Sequence, residues 1–194
     1  MDTARRVVAI LLMVTSPAAI GYWLVIHPFT RFWRRFGIVP TYVVVGSGMV
    51  ASMILLYRIR DPLLGRDLGT QWPLAIAGFA LYALAGFLEV RIRRHLTFRT
   101  LAGVPELAAE AGEGKMLEQG IYSRIRHPRY AAFLIAVAGF SIFSNYSGVY
   151  VLAGLCVPAI LLVARLEERE LVERFGNRYL DYRKRVPAFI PRRR

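Results

Sequence analysis

Two clusters of ionisable side chains lie at opposite ends of one apolar stretch of the sequence. The first is YSRIRHPRY at 122–130, where arginines and a histidine precede residues that are apolar, with few breaks, to Val163. The second is EERE at 167–170, which follows soon after that stretch. Cations, an imidazole and carboxylates can bind charged ligands and transfer protons. These two clusters are therefore the first candidates for a functional site.

The two clusters suit the two ends of a zwitterionic ligand. Pro128 lacks an N–H and fits the first turn of a helix, which places His127 near the N-cap. A helix N-terminus attracts anions, and Arg126 and Arg129 would strengthen that attraction. If the two apolar helices lie side by side, the carboxylates of the second cluster come within reach of the first. Such a site attracts a carboxylate at one end and an ammonium at the other, as an amino-acid moiety requires.

Each cluster also has a purely structural interpretation. Arginines at the end of an apolar segment are usually interfacial anchors, and a histidine before a proline is often a simple cap. Glu167 and Glu168 could form a solvated helix face, as charge runs usually do. The combination favours a ligand site, because one cluster is cationic and the other acidic, and both are expected at the same membrane face.

Three long apolar runs precede the clusters and predict transmembrane helices. The chain has 194 residues, of which 56% are hydrophobic, and a formal net charge of +13. Residues 7–26, 41–57 and 71–88 contain no Asp, Glu, Lys or Arg, and each run matches the hydrocarbon thickness of a bilayer. Basic residues rather than a small-residue cleavage site follow the first run, which favours a membrane helix over a cleaved signal peptide.

Two shorter apolar runs, 130–143 and 148–163, are joined by SNYSG, which has the residues of a turn. They predict a tight helical hairpin or two tilted spans. The expected fold is an all-α, multi-pass integral membrane protein with about five transmembrane helices, the last two a short hairpin. Lys and Arg are more frequent in the loops on the side of the two clusters, which predicts that this side and the C-terminus are cytosolic.

Other classes of protein fit the sequence less well. The arginines flank apolar runs instead of alternating with aromatic residues on a soluble surface, which argues against a nucleic-acid partner. Cys156 is the single cysteine, so an intramolecular disulfide framework and a multi-cysteine metal site are excluded. Because Cys156 lies within an apolar run, we expect it to be a buried packing residue. No metal is expected.

The carboxyl-terminal part of the chain resembles the membrane methyltransferases typified by isoprenylcysteine carboxyl methyltransferase, to which the phospholipid methyltransferases are related. The resemblance covers roughly residues 114–191. Its pieces, in order, are the G-x-Y-x-x-x-R-H-P-x-Y run that starts at Gly120, the paired glutamates at 167 and 168, the F-G-x-x-Y-x-x-Y run that starts at Phe175, and R-V-P at 185–187.

The resemblance implies that S-adenosylmethionine binds at the cytosolic face and that a lipophilic acceptor reaches it from the bilayer. We expect the chain to divide into a three-helix transmembrane region, 1–90, and one structural unit, 91–194, made of a cytosolic loop, the hairpin and the C-terminal cofactor-binding segment. The implied cofactor-binding residues are Gly114, Lys115, Met116, Leu117, Tyr122, His127, Pro128, Arg129, Tyr130 and Glu167.

The acceptor is less closely defined by this resemblance. The isoprenylcysteine enzymes are similar to each other in an arginine four residues before the first glutamate, and here that residue is Val163. Arg165 is about 200° away around a helix. Together with Arg185, these two residues are the candidate substrate residues. Carboxylate methylation is therefore in doubt.

The leading hypothesis is an S-adenosylmethionine-dependent methyltransferase that acts on a lipophilic acceptor, with a membrane-lipid amine or hydroxyl favoured. An amine must first lose a proton, so Glu168 is a candidate catalytic base, and Arg126 is the second candidate catalytic residue. One alternative is carboxyl methylation of an isoprenylcysteine-like substrate. Another is a non-catalytic membrane scaffold that binds anionic lipid.

Overall fold

The computed structural model describes residues 1–93 and 116–191. Every regular secondary-structure element in these ranges is a helix. The α-helices, in chain order, are α1 Asp2–Ile26, α2 Thr30–Arg34, α3 Ile38–Arg58, α4 Arg60–Leu64, α5 Trp72–Arg93, α6 Pro128–Ser144, α7 Ser147–Phe175 and α8 Asn177–Arg185. Short 3-10 turns occupy His27–Phe29 and Gly120–Ser123. The predicted all-α fold is confirmed.

Four of the described segments are long and apolar enough to cross a membrane. They are Asp2–Arg34, Ile38–Arg58, Trp72–Arg93 and Ser147–Phe175, and α6 is a shorter apolar helix of 17 residues. The predicted hairpin is therefore α6 and α7. Its second arm is longer than the apolar run indicated, because the helix continues through the charged EERE segment to Phe175.

The long helices alternate in direction, so the chain has two polar ends. At one end, which we call the N-terminal face, Arg5 contacts Asp67 and the Ser144 carbonyl, and the Asn145 side chain donates to the Gly69 carbonyl at 2.9 Å. At the other end, which we call the site face, lie the turn after α1, the segment before α6, the end of α7, and α8. The two sequence clusters thus meet at one end of the helical assembly, as predicted.

Glycine lets α5 and α6 pack with their backbones in contact. A Cβ atom added to Gly78 would lie 2.6 Å from the carbonyl oxygen of Gly139, and one added to Gly139 would lie 2.8 Å from the carbonyl oxygen of Gly78. Small residues at such crossings permit the close van der Waals packing that holds membrane helices together. This contact fixes α6, and with it the first residues of the site, against α5.

The core lies between α1, α6 and α7. Ile160 and Val163 of α7 are fully buried there, and Cys156 is 1% exposed, which confirms that this cysteine is a packing residue. On the α1 side, the Trp23 ring packs edge-on against Tyr130, with 5.1 Å between ring centroids. The hydrophobic contact between these helices therefore reaches the first turn of α6, where the site begins.

Arg5 is not the exposed interfacial anchor that its position before an apolar run suggested. Its side chain is 1% exposed, and its guanidinium donates to Asp2, Asp67, Thr70 and the Ser144 carbonyl. A guanidinium has five N–H donors, and several acceptors together can compensate for its burial. This network ties the start of α1 to the loop before α5 and to the end of α6.

A glycine separates α7 from α8. Gly176 is in a positive-φ conformation (φ 57°) at the junction of the two helices. Tyr179 and Tyr182 of α8 are buried against the last turns of α7. The 94–115 segment, which belongs to the predicted cytosolic loop, lies outside the described residues.

Candidate active site

The segment before α6 is held in place by the C-terminal tail. The backbone N–H groups of Arg126 and His127 donate to the carbonyl oxygens of Pro187 and Ala188, each at 2.9 Å. The ring of Phe189 lies 5.6 Å from the ring of His127. Prolines in the tail prevent it from continuing α8, so the chain turns back and covers the first cluster.

Glu168 joins the two clusters directly. Its Oε1 atom accepts hydrogen bonds from Nε and Nη2 of Arg126 at 2.9 and 2.6 Å, and it lies 3.0 Å from Nε2 of His127. Arg126 also donates to the backbone carbonyls of Arg183 and Val186. Arg126 and Glu168, the predicted catalytic residues, therefore form a connected ion pair that links α7, α8 and the tail.

His127 lies between two carboxylates. Its Nε2 faces Glu168, and its Nδ1 is 3.3 Å from Oε2 of Glu167. Burial by itself lowers the pKa of His127, but its close contacts with Glu167 and Glu168 and their negative charges outweigh that effect and raise the pKa to about 9. The imidazole is therefore protonated at neutral pH. As predicted, the residue occupies the N-cap position of α6, with Pro128 at the first turn.

Glu167 retains an unsatisfied polar atom. Although its Oε2 atom is at ion-pair distance from His127, this buried oxygen has no hydrogen-bond partner among the residues that the structure describes. A buried carboxylate oxygen without a donor is costly. An ammonium group supplies the donors that this atom lacks, so Glu167 fits the role of holding the amino group of a ligand.

Arg129 supplies the opposite charge. It is the second residue of α6 and is partly exposed, and within 1–93 and 116–191 it forms no ion pair. A cation in the first turn of a helix reinforces the attraction of the N-terminus for an anion. Arg129 is therefore available for a ligand carboxylate, whereas the imidazole of His127 is already engaged by glutamates.

Tyrosines and apolar side chains complete the site. The Tyr182 hydroxyl donates to the backbone carbonyl of Tyr122 at 2.7 Å, and burial raises the pKa of Tyr182 to about 12. Burial also raises the pKa of Tyr122. Met116 packs against the tyrosines of α8, and Leu117 packs against the cluster that includes Tyr122. Gly114 and Lys115, also predicted to bind the cofactor, lie outside the described residues.

The predicted substrate residues do not lie together. Val163 is fully buried in the core, whereas Arg165 is exposed and borders a cavity of about 490 Å³ that Glu168 also lines. Arg185, two-thirds exposed, pairs with Glu118 at 3.2 Å. Val163 therefore offers no cation to an acceptor carboxylate, and the arginines that line this cavity are Arg165, Arg169 and Arg183.

One functional candidate, His27, was missed by the sequence interpretation. His27, after α1, lies 3.2 Å from Glu170 through its Nδ1 and 3.3 Å from the Tyr130 hydroxyl through its Nε2. His27 stands 100 residues before His127, and nothing local in the sequence connects it to the site. Within the described ranges, no group of three or more His, Cys, Asp or Glu side chains is arranged to hold a metal ion.

The phospholipid methyltransferase family model matches residues 74–178, which is more than half of the chain. The matched range contains both clusters of the site. The chain belongs to this family. It is therefore a membrane-embedded methyltransferase, and the predicted relationship and enzyme class are confirmed. No solved structure matches this methyltransferase.

Curated relatives align with this methyltransferase, some over most of its length and others over part of it. Methanethiol S-methyltransferase 1 of Bradyrhizobium diazoefficiens is 27% identical, and the alignment covers 100% of this chain and 70% of the relative. Methanethiol S-methyltransferase of Pseudomonas deceptionensis is 29% identical over 84% of this chain and 64% of its own length. Protein-S-isoprenylcysteine O-methyltransferase B of Arabidopsis thaliana is 32% identical over 40% of each chain.

Proposed function

We propose that this methyltransferase transfers a methyl group from S-adenosylmethionine to a small lipophilic acceptor, with a thiol as the leading candidate. The single observation that carries the site assignment is the buried Oε2 of Glu167, which lies beside the protonated His127 and has no hydrogen bond among the residues that the structure describes. S-adenosylmethionine supplies, when bound, a methyl group already activated by its sulfonium. The protein then has to align donor and acceptor and exclude water.

The residues present fit the amino-acid end of this donor. Glu167 accepts from the ammonium, and Arg129 with the N-terminus of α6 attracts the carboxylate. The positive charge of His127 offsets the repulsion between the two glutamates. It therefore lowers the free-energy cost of having both carboxylates ionised. Tyr122 and Leu117 form the adjoining wall. Glu168, paired with Arg126, positions His127, and its candidate role as a base stays a prediction.

Two features favour a small uncharged acceptor over a prenylcysteine carboxylate. Val163 stands where the isoprenylcysteine enzymes have an arginine, and it is buried among apolar side chains. The relatives aligned over most of this chain are named for methanethiol, whereas the isoprenylcysteine relatives align over about two fifths. A thiol needs no cation in the site but has to lose its proton.

A second candidate acceptor is the amine of a membrane lipid. The matching family is that of the phospholipid methyltransferases, and a cavity of about 500 Å³ opens beside the site near the turn after α1. Its walls combine the aromatic rings of Phe29 and Phe32 with arginines. Such a surface suits a zwitterionic lipid headgroup at the membrane interface.

The site face is proposed to be cytosolic. Arg31, Arg34 and Arg35 lie at the end of the first span, in α2 and directly after it, and further arginines follow on α8. The N-terminal face has fewer cations, and Arg5 among them is buried in an ion-pair network. An excess of Lys and Arg in short loops marks the cytosolic side. This orientation places the donor site in the compartment where S-adenosylmethionine is made.

Donor binding is tested by titrating S-adenosylhomocysteine into the protein in detergent. We expect Glu167→Ala and His127→Ala each to weaken binding by about 1.5–3 kcal/mol, the value of a hydrogen bond to a charged group. Asp181→Asn is the control, because Asp181 is 66% exposed on α8 and pairs only with the neighbouring Lys184 among the described residues. No saturable binding by the wild-type protein would show that the donor assignment is wrong.

The acceptor is tested with methyl-labelled S-adenosylmethionine. Methanethiol, an ethanolamine phospholipid and a prenylcysteine are offered separately to the purified protein, and the labelled product is identified. We expect the thiol to be methylated at the highest kcat/KM. Efficient labelling of the prenylcysteine carboxyl, abolished by Arg165→Ala, would instead establish carboxyl methylation and assign Arg165 to the carboxylate.

A further inference from the structure

A second buried imidazole–carboxylate pair lies next to the proposed donor site. His27 is 7% exposed, and its Nδ1 is 3.2 Å from Oε2 of Glu170, whose side chain is 11% exposed. Nε2 of the same ring faces the hydroxyl of Tyr130 at 3.3 Å. The pair joins the turn after α1 to α7, and neither residue has a role in the donor site described above.

This pair separates the donor site from a cavity. His27 and Glu170 line the cavity of about 500 Å³ between the turn after α1 and α7. On the other side, the ring of Tyr130 stacks on His127, with 5.6 Å between ring centroids. One aromatic ring therefore separates His27 from the imidazole of the donor site. A molecule entering through the cavity meets His27 before it reaches the donor.

Glu170 has a feature that a purely structural pair would not need. Its Oε2 atom engages His27, but its Oε1 atom is buried and has no hydrogen-bond partner among the residues that the structure describes. A carboxylate retained in this environment stabilises a positive charge next to it. That positive charge would form on the ring of His27 when the ring accepts a proton, and Glu170 would stabilise it.

We propose that His27, oriented by Glu170, accepts the proton of the acceptor during methyl transfer. The inference rests on the proposed function, and it identifies the residue that makes a thiol acceptor nucleophilic. The bond between the methyl carbon and the acceptor sulfur forms as the bond between that carbon and the donor sulfonium breaks. The thiol proton goes to Nε2 of His27, and Glu170 accepts a hydrogen bond from Nδ1–H throughout. The sulfonium charge is thus replaced by an imidazolium charge.

The geometry and the chemistry of a thiol agree with this role. Only the thiolate is strongly nucleophilic. A cysteine thiol has a pKa of about 8.5 and a simple alkyl thiol a higher one, so a neighbouring base increases the reactive fraction. The contact between Nε2 and the Tyr130 hydroxyl is 3.3 Å, longer than the roughly 2.9–3.0 Å that is usual for a hydrogen bond between nitrogen and oxygen. Nε2 can therefore exchange this weak contact for the acceptor.

The test compares two acceptors of different acidity in a His27→Asn variant. The asparagine amide can donate to Glu170 in place of Nδ1–H, but the variant has no base at the position of Nε2. We expect kcat for an alkyl thiol to fall by about 100-fold or more, the usual effect of losing a general base. An aromatic thiol, which is already largely ionised at neutral pH, should lose far less. Glu170→Gln should show the same pattern more weakly.

Binding of S-adenosylhomocysteine separates this inference from the proposed function. The affinity should be unchanged in His27→Asn, as in the Asp181→Asn control, and this also shows that the variant is folded. Wild-type protein that binds no S-adenosylhomocysteine would overturn the proposed function and the role of His27 with it. Normal donor binding combined with wild-type rates, or with equal losses for both thiols, would overturn the role of His27 alone. Glu170→Gln provides the second variant if His27→Asn does not fold.

Discussion

The protonation of His127 provides the sharpest test of the site. Its pKa is raised from 6.5 to about 9, because the two glutamates outweigh the opposing effect of burial. The pKa in the unfolded chain is the ordinary one, so protonated His127 stabilises the fold. This contribution is fully present below pH 6.5 and is lost as the pH rises through about 9. At neutral pH the imidazolium and both carboxylates are expected to be charged.

The size of the effect follows from the shift in pKa. Each unit corresponds to about 1.36 kcal/mol, so a rise from 6.5 to about 9 gives roughly 3 kcal/mol of stability at low pH. The His127 side chain is only 3% exposed, so solvent screens the pairing little. Replacing Glu168 by Gln removes the carboxylate that lies 3.0 Å from Nε2, and the pKa of His127 should then fall toward 6.5.

The measurement is an NMR titration of imidazole-labelled protein in detergent. The chain has three histidines, and the resonance that disappears in His127→Gln belongs to His127. Unfolding free energies of wild type and His127→Gln are compared from about pH 6 to about pH 10, and their difference should shrink as the pH rises. A His127 resonance that titrates at or below 6.5 would refute the reasoning, as would a stability difference that does not change with pH.

Three further predictions concern packing, burial and the acceptor. Gly78→Ala should destabilise the fold in detergent by about 1–3 kcal/mol, because its Cβ would lie 2.6 Å from backbone atoms of α6. Gly86→Ala in the same helix meets nothing within 4 Å and should be tolerated; equal unfolding midpoints for both variants would contradict this packing. Arg5→Ala should destabilise the fold by about 1–3 kcal/mol, because it leaves the buried Ser144 carbonyl without its donor. Arg6→Ala, which breaks a pair whose side chains are more than half exposed, should cost less than about 1 kcal/mol. Arg165→Ala should leave kcat/KM for methanethiol within about threefold of wild type, whereas a loss above about tenfold would place Arg165 in the thiol site.

The sequence predicted the helical architecture well because a bilayer limits the possible structures. Only helices and closed barrels satisfy every backbone group in hydrocarbon, so three long runs without charged residues could hardly form anything else. Helix ends followed from local chemistry. Pro128 begins α6, and Gly176 separates α7 from α8. Helix ends that depend on tertiary contacts were predicted less accurately. For example, α7 continues well beyond the predicted apolar run 148–163, to Phe175.

Local sequence was misleading where a charged residue finds partners far away in the chain. Arg5 resembles any cation at the start of a membrane helix, yet it is buried. Its acceptor Asp67 lies 62 residues further along, in a loop that only the packing of α1 against the α5–α6 pair brings near. The same is true of His27, whose partner Glu170 is 143 residues away.

By itself, the sequence determined the two clusters of the site, because their residues are contiguous and each stands at the end of a helix that the apolar pattern predicts. The tertiary structure decided how these residues are used. It placed His127 between Glu167 and Glu168, closed the site with the tail, and left the Oε2 atom of Glu167 without a donor among the described residues. Ion pairing and burial depend on distances of a few ångströms between separate helices, and the spacing of residues along one helix does not fix those distances.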